Sequence, residues 1–280
     1  MRVSSSWEQM MPLLYLLLFS LLTMGLVFWI PKYRLRRAVR QPFPGNYSRI
    51  LRRNIPAYAR MPTHLQLQLK RLIKQFLHEK KFIGCDGFRI NDEVRVTIAG
   101  KACMLLLNRP ASVFPDLKLV LVYPSAFIAP RTELGAGGIV THANQTLSGE
   151  SWSDGRVILA WDHVQQRNTD FIDGHNVVLH EFAHQLDSET GAPNGAPQLM
   201  SKEKYQRWSA VMMHEFRKLQ EAAAYHMESA MDYYGATNPA EFFAVATETF
   251  FEKSWQMAEF HPALFAELRE YYRVDPREWH

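Results

Sequence analysis

The stretch "NVVLHEFAHQLDSETGAPNGAP", Asn176–Pro197, decides how the rest of the chain is read. Its apolar residues Leu179, Phe182, Ala183 and Leu186 recur at i, i+3, i+4 and i+7, the spacing of one buried helix face. Asp173 or Asn176 can cap the start, Gly191 can end it, and Pro193 follows two residues later. On such a helix His180 and His184 stand one turn apart, so both imidazoles can face one metal ion. Glu181 is displaced by one position, where its carboxylate can reach a metal-bound water without ligating the metal. These are the requirements of the H-E-x-x-H motif: a zinc ion acidifies the water and polarises a carbonyl, while the glutamate takes the proton and delivers it to a leaving amine. The competing reading is a histidine pair on an ordinary core helix.

A zinc site needs a third protein ligand and an open fourth position. The H-x-x-G-x-x-H continuation is absent, because position 187 is Asp and position 190 is Thr. The third ligand must come from elsewhere, and a carboxylate on a later helix is the usual solution. Asn238-Pro239-Ala240-Glu241 reads as a helix start, with Asn238 as N-cap and Pro239 at the first helical position. Glu241 can ligate or close a capping box, and Glu248, one heptad on, is an alternative ligand. Asp187 can ligate too, but is better placed to hydrogen-bond a ligand imidazole. Position leaves the choice open.

Upstream, "MPLLYLLLFSLLTMGLVFWI", Met11–Ile30, passes without a charge and is long enough to span a bilayer. The basic run "PKYRLRRAVR" follows at once where a signal peptide would have a cleavage site, so an uncleaved anchor is expected. Nine Lys or Arg and no acidic residue lie in 31–60, which predicts that this flank and the domain after it face the cytoplasm. Against a whole-chain charge of +4, this leaves residues 61–280 net negative by five. A nucleic-acid partner is excluded by that balance. Cys85 and Cys103 are too few for a disulfide framework and fit a reducing compartment.

The expected organisation is a tail over 1–10, an anchor over 11–30, a basic juxtamembrane linker over 31–61 with four prolines and at most a short helix, and a domain over 62–280. From Thr63 the apolar residues Leu65, Leu69, Leu72, Ile73, Phe76 and Leu77 predict an amphipathic helix, with Lys70, Lys74 and Lys80 on its outer face. "FRINDEVRVTIAG" (88–100), with its β-branched residues, and "LKLVLVYPSAFIAP" (117–130) read as strand regions. "ACMLLLNRP" fits strand or helix, and "GRVILAW" (155–161) reads as a strand. After Gln198 the pattern is helical. Strands first and helices second predict an α+β domain. Trp152, Trp161, Trp208 and Trp255 fall in apolar patterns and read as core. The remaining histidines lack a paired spacing and receive no metal role.

"HANQTLSGESWSDGRVILAW", "NVVLHEFAHQLD" and "YYGATNPAEFFAVATETFF" together resemble the Mlc titration factor A family of zinc metallopeptidases, over most of the chain from about Leu65 to Pro276. The resemblance implies a gluzincin-type, zincin-like α+β domain similar to the catalytic domain of anthrax lethal factor. It implies one Zn²⁺ held by His180, His184 and Glu241, with Glu181 as general base. It matches Tyr234 to a family tyrosine near the metal that can donate a hydrogen bond to a developing oxyanion. The family's activity is aminopeptidase-like on small peptides. No residue announces the grip on a free amine that this requires, although Glu150, Asp154 and Asp187 are acidic and close in sequence to the motifs. "GRVILAW" can serve as the edge strand that pairs with extended substrate.

The family's best-known member is soluble and binds the glucose repressor Mlc, whereas this chain begins with a bilayer anchor, so that partner is not carried over. The expected function is a membrane-anchored, cytoplasm-facing zinc peptidase acting on a peptide or protein substrate. The alternative is a regulatory binding protein that sequesters a repressor or other protein partner, with weak hydrolysis. An intact Glu181 favours the enzyme.

Overall fold

The computed structural model describes residues 6–109, 112–134, 140–147, 149–152, 155–165, 175–191 and 193–279. The chain falls into two units, residues 1–42 and 43–280. The first is a single helix, α1 (Ser6–Arg40), which runs through Pro12 and Pro31. Between Met10 and Arg40 its mean hydropathy reaches 2.4 with none of that window buried, so it is long and apolar enough to cross a membrane.

The second unit begins earlier than the sequence suggests. The first part of the expected linker, to Arg40, is the end of α1, and helices α2 (Gly45–Asn54) and α3 (Pro56–Arg60) occupy most of the remainder, with Leu51, Ile55, Ala57 and Tyr58 buried in the core. Residues 43–61 therefore belong with the domain. The arginines that made this segment look like a linker lie on exposed faces, and apolar residues are spaced between them.

Helix α4 (Thr63–Glu79) buries Leu65, Leu69, Ile73 and Phe76, as its periodicity predicts. Lys80, expected on the outer face, instead turns inward and its ammonium donates to the carbonyls of Phe114 and Leu117 at 2.6 and 2.9 Å. A short strand, β1 (Lys81–Gly84), follows. The segment read as strand from Phe88 to Gly100 is mostly helix α5 (Asp92–Met104). Asn91 caps it by accepting from the Val94 N–H at 3.0 Å, and Asp92 and Glu93 sit favourably in its first turn. Val94, Val96, Thr97 and Ile98 are all buried, so tertiary packing overrides their β preference. Gly100 lets α2 approach, since a Cβ there would meet Ile55 Cδ1 at 2.5 Å.

Strands β2 (Leu119–Tyr123), β3 (Phe127–Leu134), β4 (Val140–Leu147), β5 (Gly149–Trp152) and β6 (Arg156–Ala160) follow in chain order. One sheet has the order β1-β2-β6-β5, with β1, β2 and β6 parallel and β5 antiparallel to β6. The pair β3-β4 is a separate antiparallel ribbon. "GRVILAW" thus supplies β6, an inner strand, so it cannot be the edge that receives substrate. Among the described residues the antiparallel edge is β5.

After α6 (Trp161–Gln165) come α7 (Val177–Asp187), α8 (Lys202–Tyr225), α9 (Pro239–Glu252), α10 (Ser254–Phe260) and α11 (Pro262–Tyr272). The buried face of α7 is fixed by Phe182, whose ring centroid lies 4.8 Å from Phe114 and 5.7 Å from Phe76. Burying each ring is worth about 1.5–3 kcal/mol, and the edge-on contact with Phe114 and the tilted one with Phe76 tie α7 to the end of α4. Trp208 and Trp161 are core as expected, but Trp255 is 59 % exposed with Arg277 over its ring. Cys85 and Cys103 are both free thiols.

Candidate metal centre

Asn176 starts α7: its side-chain oxygen accepts from the Leu179 N–H at 3.3 Å. One turn later His180 and His184 project from the same side, with ring centroids 4.9 Å apart. Asn238 starts α9 by accepting from the N–H groups of Ala240 and Glu241, and Pro239 holds the first helical position. These two caps bring Glu241 to the histidines. Its Oε2 lies 3.0 Å from His180 Nε2 and 3.3 Å from His184 Nε2, and the two Nε2 atoms are 3.2 Å apart. A tetrahedral ion with bonds of about 2.0–2.1 Å spaces its donors roughly 3.3 Å apart, so the three donors fit one zinc-sized ion. Each of the three side chains is 12–13 % exposed, enough to be reached from solvent.

Glu248 is not beside Glu241 but behind the imidazole. Its Oε1 lies 2.7 Å from His180 Nδ1, and its Oε2 accepts the Asn176 main-chain N–H. This arrangement directs Nε2 of His180 toward the cluster and gives Glu248 the orienting role expected of Asp187. Asp187 is fully buried at the end of α7, and its Oδ2 accepts the Gly195 N–H at 2.7 Å. That bond fixes the following loop. Gly195, at φ +78°, has its carbonyl held by the Trp208 indole at 2.9 Å, and a Cβ on it would meet the Pro239 carbonyl at 2.4 Å. The loop after the histidine helix is thereby pressed against the start of α9.

Tyr234 sits on the 3₁₀ turn Tyr233–Ala236, its ring centroid 5.9 Å from that of His180. Asp232 caps this turn through the Tyr234 N–H at 2.6 Å and also pairs with His175 at 3.2 Å. Glu181 is 5 % exposed, on the same helix between the two histidines. Asp154 and Asp173 lie outside the described residues, as does the side chain of Glu150. A cleft of about 730 Å³ lined by Arg109, Lys204, Arg207, Glu267 and Glu270 contains none of the cluster.

The electrostatics follow from burial. Burial pushes the Glu181 carboxyl up to about 7, with His180 and His184 pulling it back. Burial disfavours charge on His180, but its bonds to Glu241 and Glu248 outweigh this and hold the imidazole well above its ordinary value. Burial also opposes ionisation of Glu241, yet the two imidazoles hold its carboxyl well below the usual carboxylate range. Asp187 is raised by burial despite the backbone amides around it.

Two facing imidazole nitrogens and a carboxylate at these distances are a group able to hold a metal ion, and residues 30–273 match the glucose-regulated metallo-peptidases M90. The chain belongs to this family. The match begins at the end of the apolar stretch, so the anchor-like segment lies almost wholly outside it. An uncharacterized protein of Synechocystis is 40 % identical over 253 residues, 90 % of this chain and 92 % of the relative. Mlc titration factor A of Yersinia pestis is 31 % identical over 226 residues, 80 % of this chain and 83 % of its own, and so is that of Yersinia pseudotuberculosis. An M90 member is expected to take a metal ion, and among the described residues His180, His184 and Glu241 are the group able to hold one.

Proposed function

We propose that the chain is a membrane-anchored zinc peptidase with His180, His184 and Glu241 as metal ligands, Glu181 as general base and Tyr234 as a hydrogen-bond donor to the substrate carbonyl oxygen. The observation that carries this reading is the convergence of the three donors within 3.3 Å of one another, with the buried Glu181 beside them. Zinc held by these side chains supplies a Lewis acid that acidifies water and polarises a carbonyl. Glu181 accepts the proton of the attacking water and returns it to the departing nitrogen, and a carboxyl poised near neutrality suits both transfers. Tyr234 turns its hydroxyl to the oxygen on which charge develops. Among the described residues no strand pairs with the outer side of β5, and that edge offers main-chain groups to an extended peptide.

The zincin-like, lethal-factor-like architecture and the aminopeptidase-like activity on small peptides come with the family resemblance. The basic residues of 31–60 support a catalytic unit on the cytoplasmic side of the bilayer spanned by residues 11–30. The test is Glu181→Gln in the full chain: zinc stays bound at one per chain while cleavage of a peptide library falls by about 10²–10⁴-fold. Unchanged cleavage sinks the mechanism. A second reading, sequestration of a repressor or other protein, is favoured by the name of the Yersinia relatives. Under it, Glu181→Gln leaves capture of a protein partner intact while abolishing cleavage.

A further inference from the structure

Besides the main-chain bond that its carbonyl accepts from the His180 N–H at 2.9 Å, Asn176 makes three polar contacts, and each goes to a different part of the site. Its side-chain oxygen caps α7, its main-chain N–H donates to Glu248, and its Nδ2 donates to Glu252 Oε1 at 2.6 Å. Glu248 and Glu252 are successive turns of α9, and all three residues are at most 9 % exposed. Two like charges one turn apart in a buried helix are costly unless each is answered. Glu248 is answered by His180. Glu252 is answered by the Asn176 amide and by the field of Lys101 on α5, whose ammonium is held by the Val164 carbonyl at 3.0 Å.

His180 and His184 meet α9 at Glu241, and His180 meets it again at Glu248. The four residues from Glu248 to Glu252 rise about 6 Å, so the bond from Asn176 to Glu252 extends the attachment by one more turn and steadies the angle at which the start of α7 crosses α9. That angle sets where His180 and His184 meet Glu241. We infer that Asn176 is a positioning residue for the metal centre, and that its bond to Glu252 holds the histidine helix in register with the helix that carries Glu241. The inference rests on the reading of His180, His184 and Glu241 as metal ligands. The role is distinct from helix capping, because the atom that reaches Glu252 is not the one that caps.

The two roles separate in Asn176→Ser, which keeps a capping oxygen and the N–H to Glu248 but removes Nδ2. Glu252→Gln keeps the acceptor oxygen and removes the charge, and Glu252→Ala removes both. The full chain in detergent is compared with each variant by chelator competition for Zn²⁺, by the visible spectrum after exchange to Co²⁺, and by the melting temperature with metal removed. Asn176→Ser and Glu252→Ala are expected each to weaken zinc binding by about 10–100-fold and to shift the cobalt bands. Their combination should do no more than either alone, because they cut the same link. Glu252→Gln, which preserves the link, should restore the wild-type cobalt spectrum. A lower melting temperature with unchanged zinc affinity and spectrum would reduce Asn176 to a cap and overturn the inference. A wild-type chain that takes up no zinc overturns the ligand assignment and this inference together, whereas a zinc-loaded wild type matched by Asn176→Ser overturns only the inference.

Discussion

Glu248 lies 2.7 Å from Nδ1 of His180, on the opposite side of the imidazole from Glu241. One ring is thus gripped by two carboxylates of the same helix, seven residues apart, and only one of them shares the space in front of His184. Removing the rear carboxylate by Glu248→Ala should lower zinc affinity by about 10–100-fold without removing a donor from the cluster, as chelator competition would show. Glu241→Ala should abolish stoichiometric binding. Equal losses from the two would mean that their roles are not distinct.

The pH dependence has a defined sign. Burial raises Glu181 to about 7, so its proton-accepting form is lost as pH falls through that region. A bound dication opposes the rise. The acidic limb of kcat/KM should therefore lie at or below about 7. A profile with no acidic limb anywhere between pH 4 and 8 would remove Glu181 from the role of base.

Metal uptake should also depend on pH through His180. The bonds to Glu241 and Glu248 raise its affinity for a proton despite burial, so a metal ion competes with a proton there. Zinc affinity is expected to rise with pH, with proton release visible when calorimetry is run in buffers of different ionisation enthalpy.

Gly195→Ala combines a left-handed backbone with a Cβ placed 2.4 Å from the Pro239 carbonyl. The expected loss is about 2–5 kcal/mol of stability in chemical denaturation, from backbone strain and overpacking together. Phe182→Ala, which empties the aromatic cluster behind α7, should cost about 3–5 kcal/mol. Either value near zero would show that the site is not braced from behind as described.

Truncation distinguishes the two units. A chain lacking residues 1–42 should leave the membrane fraction and keep a cooperative melting transition. A chain lacking residues 1–61 should lose that transition, because Leu51, Ile55 and Tyr58 are part of the core. Retention of the shorter deletion in the membrane after alkaline extraction would exclude residues 11–30 as the sole anchor.

The histidine helix was legible because its signals are local: a cap, a 3.6-residue stripe and a stop all lie between Asn176 and Gly191. The strands β2 and β6 were legible as short apolar runs between turns. Helix α5 was not, because it is buried nearly all round from Val94 to Met104, and a helix without a polar face loses the period that identifies it. Glu248 was visible in the sequence only as a rival ligand. Two carboxylates a heptad apart share a face, and which meets the front of an imidazole depends on how far α7 slides along α9. Nothing local encodes that distance. Tyr234 was picked out by family resemblance alone, since its loop has no periodicity to place it beside His180.

The Gly195 amide donates to a carboxylate with no exposed surface, in a loop held by an indole on one side and by the start of α9 on the other. Such an N–H exchanges with solvent only when the surrounding packing opens. Its deuterium uptake therefore follows opening of the whole site and not fraying of a surface loop. A peptide spanning 193–197 in an exchange experiment would report whether the centre is assembled, in any variant or membrane preparation, before a substrate for it is known.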